Sequence, residues 1–153
     1  MIKFHNSEND VELELCITGY QFPMSPNDNW CLLKITVMHN GQSFEAEDPA
    51  LETTEIVSLL NWFKRLSEHR LPKYGLLSFV EPCIEFEFIS CKDKLVTISI
   101  NLDYELKPDF NLTQFGSIYE HWNMRFDLNF NDFERIINEL EVVLQKYPVR
   151  GKS

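Results

Sequence analysis

Acidic residues at alternating positions are the residues of this sequence whose type and spacing could do chemistry. Glu12 and Glu14 alternate with apolar residues in VELELCI, and Glu85 and Glu87 do the same in EPCIEFEF. Two carboxylates about 5–10 Å apart in a cleft can act as acid and base, as in glycoside hydrolases. Carboxylates on an open strand face lack the desolvation that raises one pKa for such work. The pattern therefore favours a charged surface over a catalytic pair.

The sequence evidence for other catalytic arrangements is weaker still. The sequence shows no metal-ligand spacing among its histidines, which are His5, His39, His69 and His121. We therefore expect each of them on the surface or in a turn, and no metal site. Cys83 and His121 could form a nucleophile–base pair, but nothing in the sequence brings them together. Since phosphate-binding glycine loops and the G-x-S-x-G motif are absent too, we predict no catalytic residue and no cofactor.

Length and charge narrow the class of protein. The 153 residues, 44 % hydrophobic and 25 % charged, are enough to bury a sizeable core in one domain. The formal net charge of -10 disfavours nucleic acid as a ligand, because phosphate binding needs clustered Lys and Arg, and suits a basic protein partner. We see neither a signal peptide nor an apolar run of about 18 residues, so we expect a cytoplasmic protein without a membrane segment. Its four cysteines should be free thiols.

The hydrophobic periodicity predicts an α+β fold over residues 1–153, in which strands and helices alternate in groups. We expect strands within 2–47, a helix over about 53–70, strands within 76–130 and a closing helix over 132–147. HNG at 39–41 and KDK at 92–94 are typical of hairpin turns. Strands in runs indicate mostly antiparallel pairing, and the single apolar stripe of each helix indicates that both helices pack on one face of the sheet.

The caps of the two helices can also be predicted. Thr53 stands where a side chain could cap the first helix, and Asn131 with Glu134 has the spacing of a capping box for the second.

The negative charge lies in the strand-bearing segments. Residues 1–50 hold eight acids and two bases, residues 73–130 hold nine acids and five bases, and the two helical segments are neutral. Alternation places six carboxylates on the face away from the helices: Glu12, Glu14, Glu85, Glu87, Asp103 and Glu105. Together they would form an acidic partner-binding surface, at a cost of several tenths of a kcal/mol per like-charged pair. The alternative is that they only keep the chain soluble and block edge-to-edge association.

Residues 106–120 form a connection that is longer than most in compact domains, and such loops often carry function. Its Phe110, Phe115 and Tyr119 are candidate anchors for a partner beside the acidic face. The alternative is that these aromatic side chains fold back and close the edge of the core.

Four stretches carry a resemblance to a known family: ITGYQFP (17–23), DNWCLLKITV (28–37), DPALETTEIVSLLNWFKRL (48–66) and SFVEPCIEFEF (78–88). They resemble the WapI-type immunity proteins of bacteria. The resemblance implies a non-enzymatic protein that binds and silences a cognate toxin domain, commonly an RNA-cleaving one, encoded beside it. The resemblance does not assign a catalytic or binding role to any residue of this chain.

Two other readings stay open. One is a small-ligand-binding or enzymatic α+β domain whose pocket lies between the apolar sheet face and the long loops. The other is an acidic scaffold protein. The sequence does not fix an oligomeric state.

Overall fold

The protein is an α+β structure of antiparallel sheets and two α-helices, as predicted. The computed structural model describes residues 1–151. The strands in chain order are β1 (Ile2–Asn6), β2 (Val11–Tyr20), β3 (Trp30–His39), β4 (Gln42–Glu52), β5 (Leu76–Leu77), β6 (Ile84–Lys92), β7 (Leu95–Leu102), β8 (Leu112–Gln114), β9 (Ser117–Tyr119) and β10 (Trp122–Leu128). The helices are α1 (Thr53–Ser67) and α2 (Phe130–Lys146), with a short 3-10 helix at Tyr104–Leu106.

The strands divide between two four-stranded sheets. The N-terminal sheet has the order β1-β2-β3-β4, and the C-terminal sheet has the order β10-β7-β6-β5. The sheets meet where β1 lies beside β10: the Asn6 side-chain amide donates to the Arg125 carbonyl (2.7 Å), and the Phe4 and Phe126 rings lie 5.4 Å apart. The sequence predicted one sheet, whereas the structure has two four-stranded sheets placed edge to edge.

Both helices pack on the apolar face that the sheets share. The Phe63 ring of α1 lies 6.3 Å from Phe4 of β1, 5.9 Å from Phe86 of β6 and 6.3 Å from Phe133 of α2. The buried apolar side chains of both sheets and both helices form one continuous cluster. This arrangement leaves the opposite face of each sheet, here called its outer face, for polar side chains.

The hairpin turns are those predicted. Asn40 and Gly41 join β3 to β4, and Asp93 and Lys94 join β6 to β7, all with positive φ, as two-residue turns of this kind require. The segment 106–120 contains a hairpin that was not predicted, in which β8 pairs with β9 around Phe115 and its neighbouring glycine.

The predicted helix caps are wrong by one or two residues. Helix α1 begins at Thr53 and is capped by Glu52, whose N–H donates to the Glu55 side chain (2.9 Å). The Thr53 hydroxyl instead donates to the Asn29 carbonyl (3.3 Å). In α2 the reciprocal pair is Asn129 and Asp132, with bonds of 2.9 and 3.0 Å, because the helix already begins at Phe130. Asn131 and Glu134 lie inside the helix.

Candidate functional site

The two acids of β2 lie on the outer face of the N-terminal sheet, each opposite a basic residue of β1. Glu12 pairs in register with His5 and Glu14 with Lys3, with nitrogen–oxygen distances of 3.4 and 3.5 Å. Glu45 of β4 lies 3.1 Å from Lys34 in the same way. Lys3 and Lys34 therefore partly neutralise the negative charge of this face within the sheet.

Glu85 and Glu87 lie on the outer face of the C-terminal sheet without such partners. Glu85 faces Asn101 in β7 and accepts a hydrogen bond from the Ser78 hydroxyl (2.9 Å), while Glu87 faces Ser99. Among the described residues, no acid between positions 73 and 130 has a basic group within ion-pair distance. The acids of this sheet are therefore available to an external cation.

Asp103 and Glu105 do not belong to a strand, so the alternation that placed them on the outer face of the sheet does not apply to them. Strand β7 ends at Leu102, and Asp103 caps the 3-10 helix by accepting from the Tyr104 N–H (2.8 Å). This turn directs Glu105 to the side of the sheet, where its carboxylate lies 3.5 Å from the Cys83 sulfur.

Cys83, Asp48 and Glu105 form a cluster at this end of the C-terminal sheet, which we call the acidic cluster. The buried Cys83 thiol, 1 % exposed, lies 3.7 Å from the Asp48 carboxylate as well as beside Glu105. Its single proton can be donated to one carboxylate at a time. The acidic cluster therefore holds two carboxylates with one shared donor.

The electrostatics of the acidic cluster reflect this crowding. Burial, followed by the charge of Glu105, raises the pKa of Asp48, and Glu81 adds to the effect. Burial and both carboxylates raise the pKa of the Cys83 thiol to about 12. The thiol is thus protonated at neutral pH and is a poor nucleophile. The three ligand atoms lie within 4.8 Å of one another, so these are the described residues that could hold a metal ion.

The three candidate aromatic anchors have different surroundings. Phe110 is half-buried, with its ring 5.4 Å from Trp122 and its carbonyl accepting from the indole N–H (2.8 Å), so it closes the core edge. Phe115 and Tyr119, on the β8–β9 hairpin, are 60 % and 39 % exposed. The Phe115 ring also lies 5.8 Å from the Arg125 guanidinium.

Two adjoining depressions that share Asn101, His121 and Asn123 lie on the outer face of the C-terminal sheet, one beside the 3-10 helix and one beside this hairpin; together we call them the outer groove. Its lining includes Glu85, Glu87, Asn101, Asp103, Lys107, Phe115, Tyr119, His121, Asn123 and Arg125. The structure thus brings together Glu85, Glu87, Asp103, Phe115 and Tyr119 of the predicted set. Glu12 and Glu14 lie on the other sheet, so the six predicted carboxylates do not share one surface.

Sequence reasoning missed Asp48 because its position depends on a strand irregularity. In the β3–β4 pairing, Leu33 faces Asp48 but Cys31 faces Leu51, so β4 carries one extra residue beside Pro49. Proline inside a strand marks an edge strand or a bulge, and this signal was available in EAEDPA. It does not, however, predict that the 3-10 helix lies beside the bulge.

None of the described helices is long and apolar enough to cross a membrane.

Comparison with known proteins agrees with the resemblance predicted from the sequence. No curated protein and no solved structure shows significant similarity to the chain. The model of the immunity protein WapI-like family, however, matches residues 2–148, which is nearly the whole sequence. The chain therefore belongs to the WapI-like immunity protein family.

Proposed function

We propose that this chain is a non-enzymatic cytoplasmic immunity protein that binds and neutralises a cognate toxin domain. The observation that carries the proposal is the family match over residues 2–148. The chemistry of the site supports it: the Cys83 thiol, with its pKa raised to about 12, is a poor nucleophile. Neutralising a toxin requires a complementary surface rather than a reacting group.

The interface that we propose consists of the outer groove and the adjacent acidic cluster. Glu85, Glu87 and Asp103 supply carboxylates that have no described base within ion-pair distance, although Lys107 and Arg125 line the same groove, and Phe115 and Tyr119 supply exposed aromatic rings. Charges of one sign steer an oppositely charged partner and raise its association rate, while aromatic side chains often carry most of the binding energy. These carboxylates and aromatic rings together suit a partner whose binding surface is basic and has an apolar patch at its centre.

A toxin that cleaves RNA is the partner that fits this charge. Such an enzyme must present Lys and Arg to phosphate, and carboxylates can occupy the same positions. The crowded carboxylates of Asp48 and Glu105 would be relieved by an incoming ammonium or guanidinium group. Glu12, Glu14 and Phe110 should contribute less, because the first two face bases and the last packs against Trp122.

Co-expression with the toxin domain encoded beside the chain tests the proposal. We expect the toxin domain alone to stop growth and degrade cellular RNA, and the co-expressed pair to grow, to retain intact RNA and to co-purify. Growth arrest that persists despite normal levels of this protein would contradict the immunity role. Rescue with no RNA degradation by the toxin alone would contradict only its RNA-cleaving class.

A further inference from the structure

Strand β4 has a row of backbone groups that face away from its sheet. The two-residue turn at Asn40 and Gly41 makes His39 and Gln42 a hydrogen-bonded pair. Bonded and non-bonded pairs alternate from there along an antiparallel ladder. The N–H and C=O groups of Ser43, Glu45 and Glu47 therefore point away from β3, and in residues 1–151 no backbone hydrogen bond reaches them.

The outer edges of the other described strands are shorter or partly covered; that of β6 is covered by β5 at Phe86 and Glu87 and is irregular between Phe88 and Ser90. The outer edge of β1 lies against β10, as the bond from Asn6 to the Arg125 carbonyl shows. At the far side of the C-terminal sheet, β5 spans two residues. In β4, by contrast, the segment 42–47 is regular, because the extra residue comes only after Asp48. Such an edge is a template for another strand, and proteins that do not use one usually shorten or cover it.

The two faces of this edge differ in chemistry. Glu45 and Glu47 lie on the outer face, where Lys34 neutralises the first and the Thr18 hydroxyl donates to the second (3.2 Å). Phe44 and Ala46 lie on the opposite face, half-buried against the core. A strand added to β4 would thus place alternate side chains beside carboxylates and beside an incompletely covered aromatic ring.

This chemistry selects the kind of partner. In an antiparallel pair with a second copy of β4, the acidic side chains of one strand would lie beside those of the other, which is unfavourable. A segment with Lys or Arg on one face and apolar residues on the other would satisfy both faces of the edge. We infer that β4 binds such an extended segment of the toxin domain by strand addition, in which backbone bonds give affinity and alternate side chains give selectivity. The inference rests on the proposed function.

Proline variants at the free edge test the inference. Ser43→Pro removes one outward N–H and leaves the β3–β4 bonds and the net charge unchanged, so Ser43→Ala is its matched control. We expect the proline variant to bind the toxin domain at least about tenfold more weakly than the alanine variant, by isothermal titration. Glu45→Pro against Glu45→Gln repeats the comparison with the charge removed from both. Circular dichroism of the four variants checks their folding.

Amide hydrogen exchange of the wild type answers the same question without substitution. In the free chain the amides of Ser43, Glu45 and Glu47 should exchange quickly, whereas those of Phe44 and Ala46 are protected by β3. Complex formation should protect the first three, producing continuous protection along the edge. A wild type that binds the toxin while these three amides stay unprotected and Ser43→Pro binds normally would overturn strand addition and leave the immunity role standing.

Two further outcomes are informative. A wild type that does not bind the toxin domain would overturn both the proposed function and this inference. Protection of the three amides in the free chain, together with a dimer by light scattering, would overturn the inference in favour of pairing with a second copy.

Discussion

At the scale of single residues, the acidic cluster is an electrostatically unfavourable arrangement. Asp48 and Glu105 share one donor, the Cys83 thiol, and the pKa of Asp48 is raised by burial and then by the charge of Glu105. A raised carboxyl pKa means that the folded state binds the proton more tightly than the unfolded chain, so ionisation at neutral pH costs stability. A costly carboxylate near a candidate interface is consistent with a role in binding.

Asp48→Asn should therefore stabilise the free protein at neutral pH. The amide oxygen can still accept from Cys83, while the repulsion from Glu105 disappears, so we expect a gain of a few tenths to about 1 kcal/mol in the free energy of unfolding. The wild type regains this difference as pH falls from the raised folded pKa towards the ordinary Asp value, and the gain vanishes below about pH 3, where Asp is protonated in both states. Urea unfolding from pH 3 to pH 8 measures it, and a variant that is less stable at pH 7 would contradict the account.

The sequence allowed some of these residues to be predicted and not others. Strict alternation in IEFEF correctly puts Glu85 and Glu87 on a face away from the core, because the side-chain period of a strand is 2. The same rule failed at Asp103 and Glu105, since the strand ends at Leu102 and a turn redirects them. Alternation also does not predict which strands pair. The basic residues opposite Glu12 and Glu14 are therefore known only from the register of β1 and β2 in the structure.

At the scale of elements, the helices and the tight hairpins were predictable because their signals are local. The β8–β9 hairpin was not, because its position depends on a distant histidine. The His39 ring is buried, accepts from the Thr113 N–H (2.9 Å) and lies 5.8 Å from Trp122. Since Nε2 accepts, Nδ1 carries the proton and donates to the Asp10 carbonyl (3.0 Å). The expected surface or turn position of His39 is wrong: it ends β3 beside the turn but points inward.

Replacing His39 with phenylalanine should loosen this hairpin. The ring can still pack on Trp122, but the Thr113 N–H and the Asp10 carbonyl lose their partner, which we expect to cost about 1–3 kcal/mol. Hydrogen exchange should accelerate in 112–119 more than in β6 and β7. Unchanged exchange in 112–119 would mean that the hairpin is held by other contacts.

At the scale of the whole molecule, one core joins two sheets of different electrostatic character. The N-terminal sheet places basic residues beside several of its outer acids, whereas no described acid of the C-terminal sheet has a basic group within ion-pair distance. The α+β class and the placement of the helices on one side could be predicted from periodicity and element order. The division into two sheets could not, because it depends on which strands pair, and that is decided by contacts between distant residues.

A shared core predicts that the chain unfolds as one unit. Phe63 contacts both sheets and α2, so neither sheet should keep its core when the other is lost. We expect the urea transitions followed by far-UV circular dichroism and by tryptophan fluorescence to coincide. Transitions with different midpoints would show instead that the two halves unfold separately.

The central claim is that the acids of the C-terminal sheet, rather than the total charge of the chain, attract the toxin domain. Surface plasmon resonance with that domain should compare Glu85→Lys/Glu87→Lys with Glu12→Lys/Glu14→Lys, two double variants of the same net charge. We predict that the first lowers the association rate by about tenfold or more, that the second lowers it much less, and that added salt slows the wild type. Equal effects of the two double variants, or an association rate that neither substitution nor salt alters, would contradict the account.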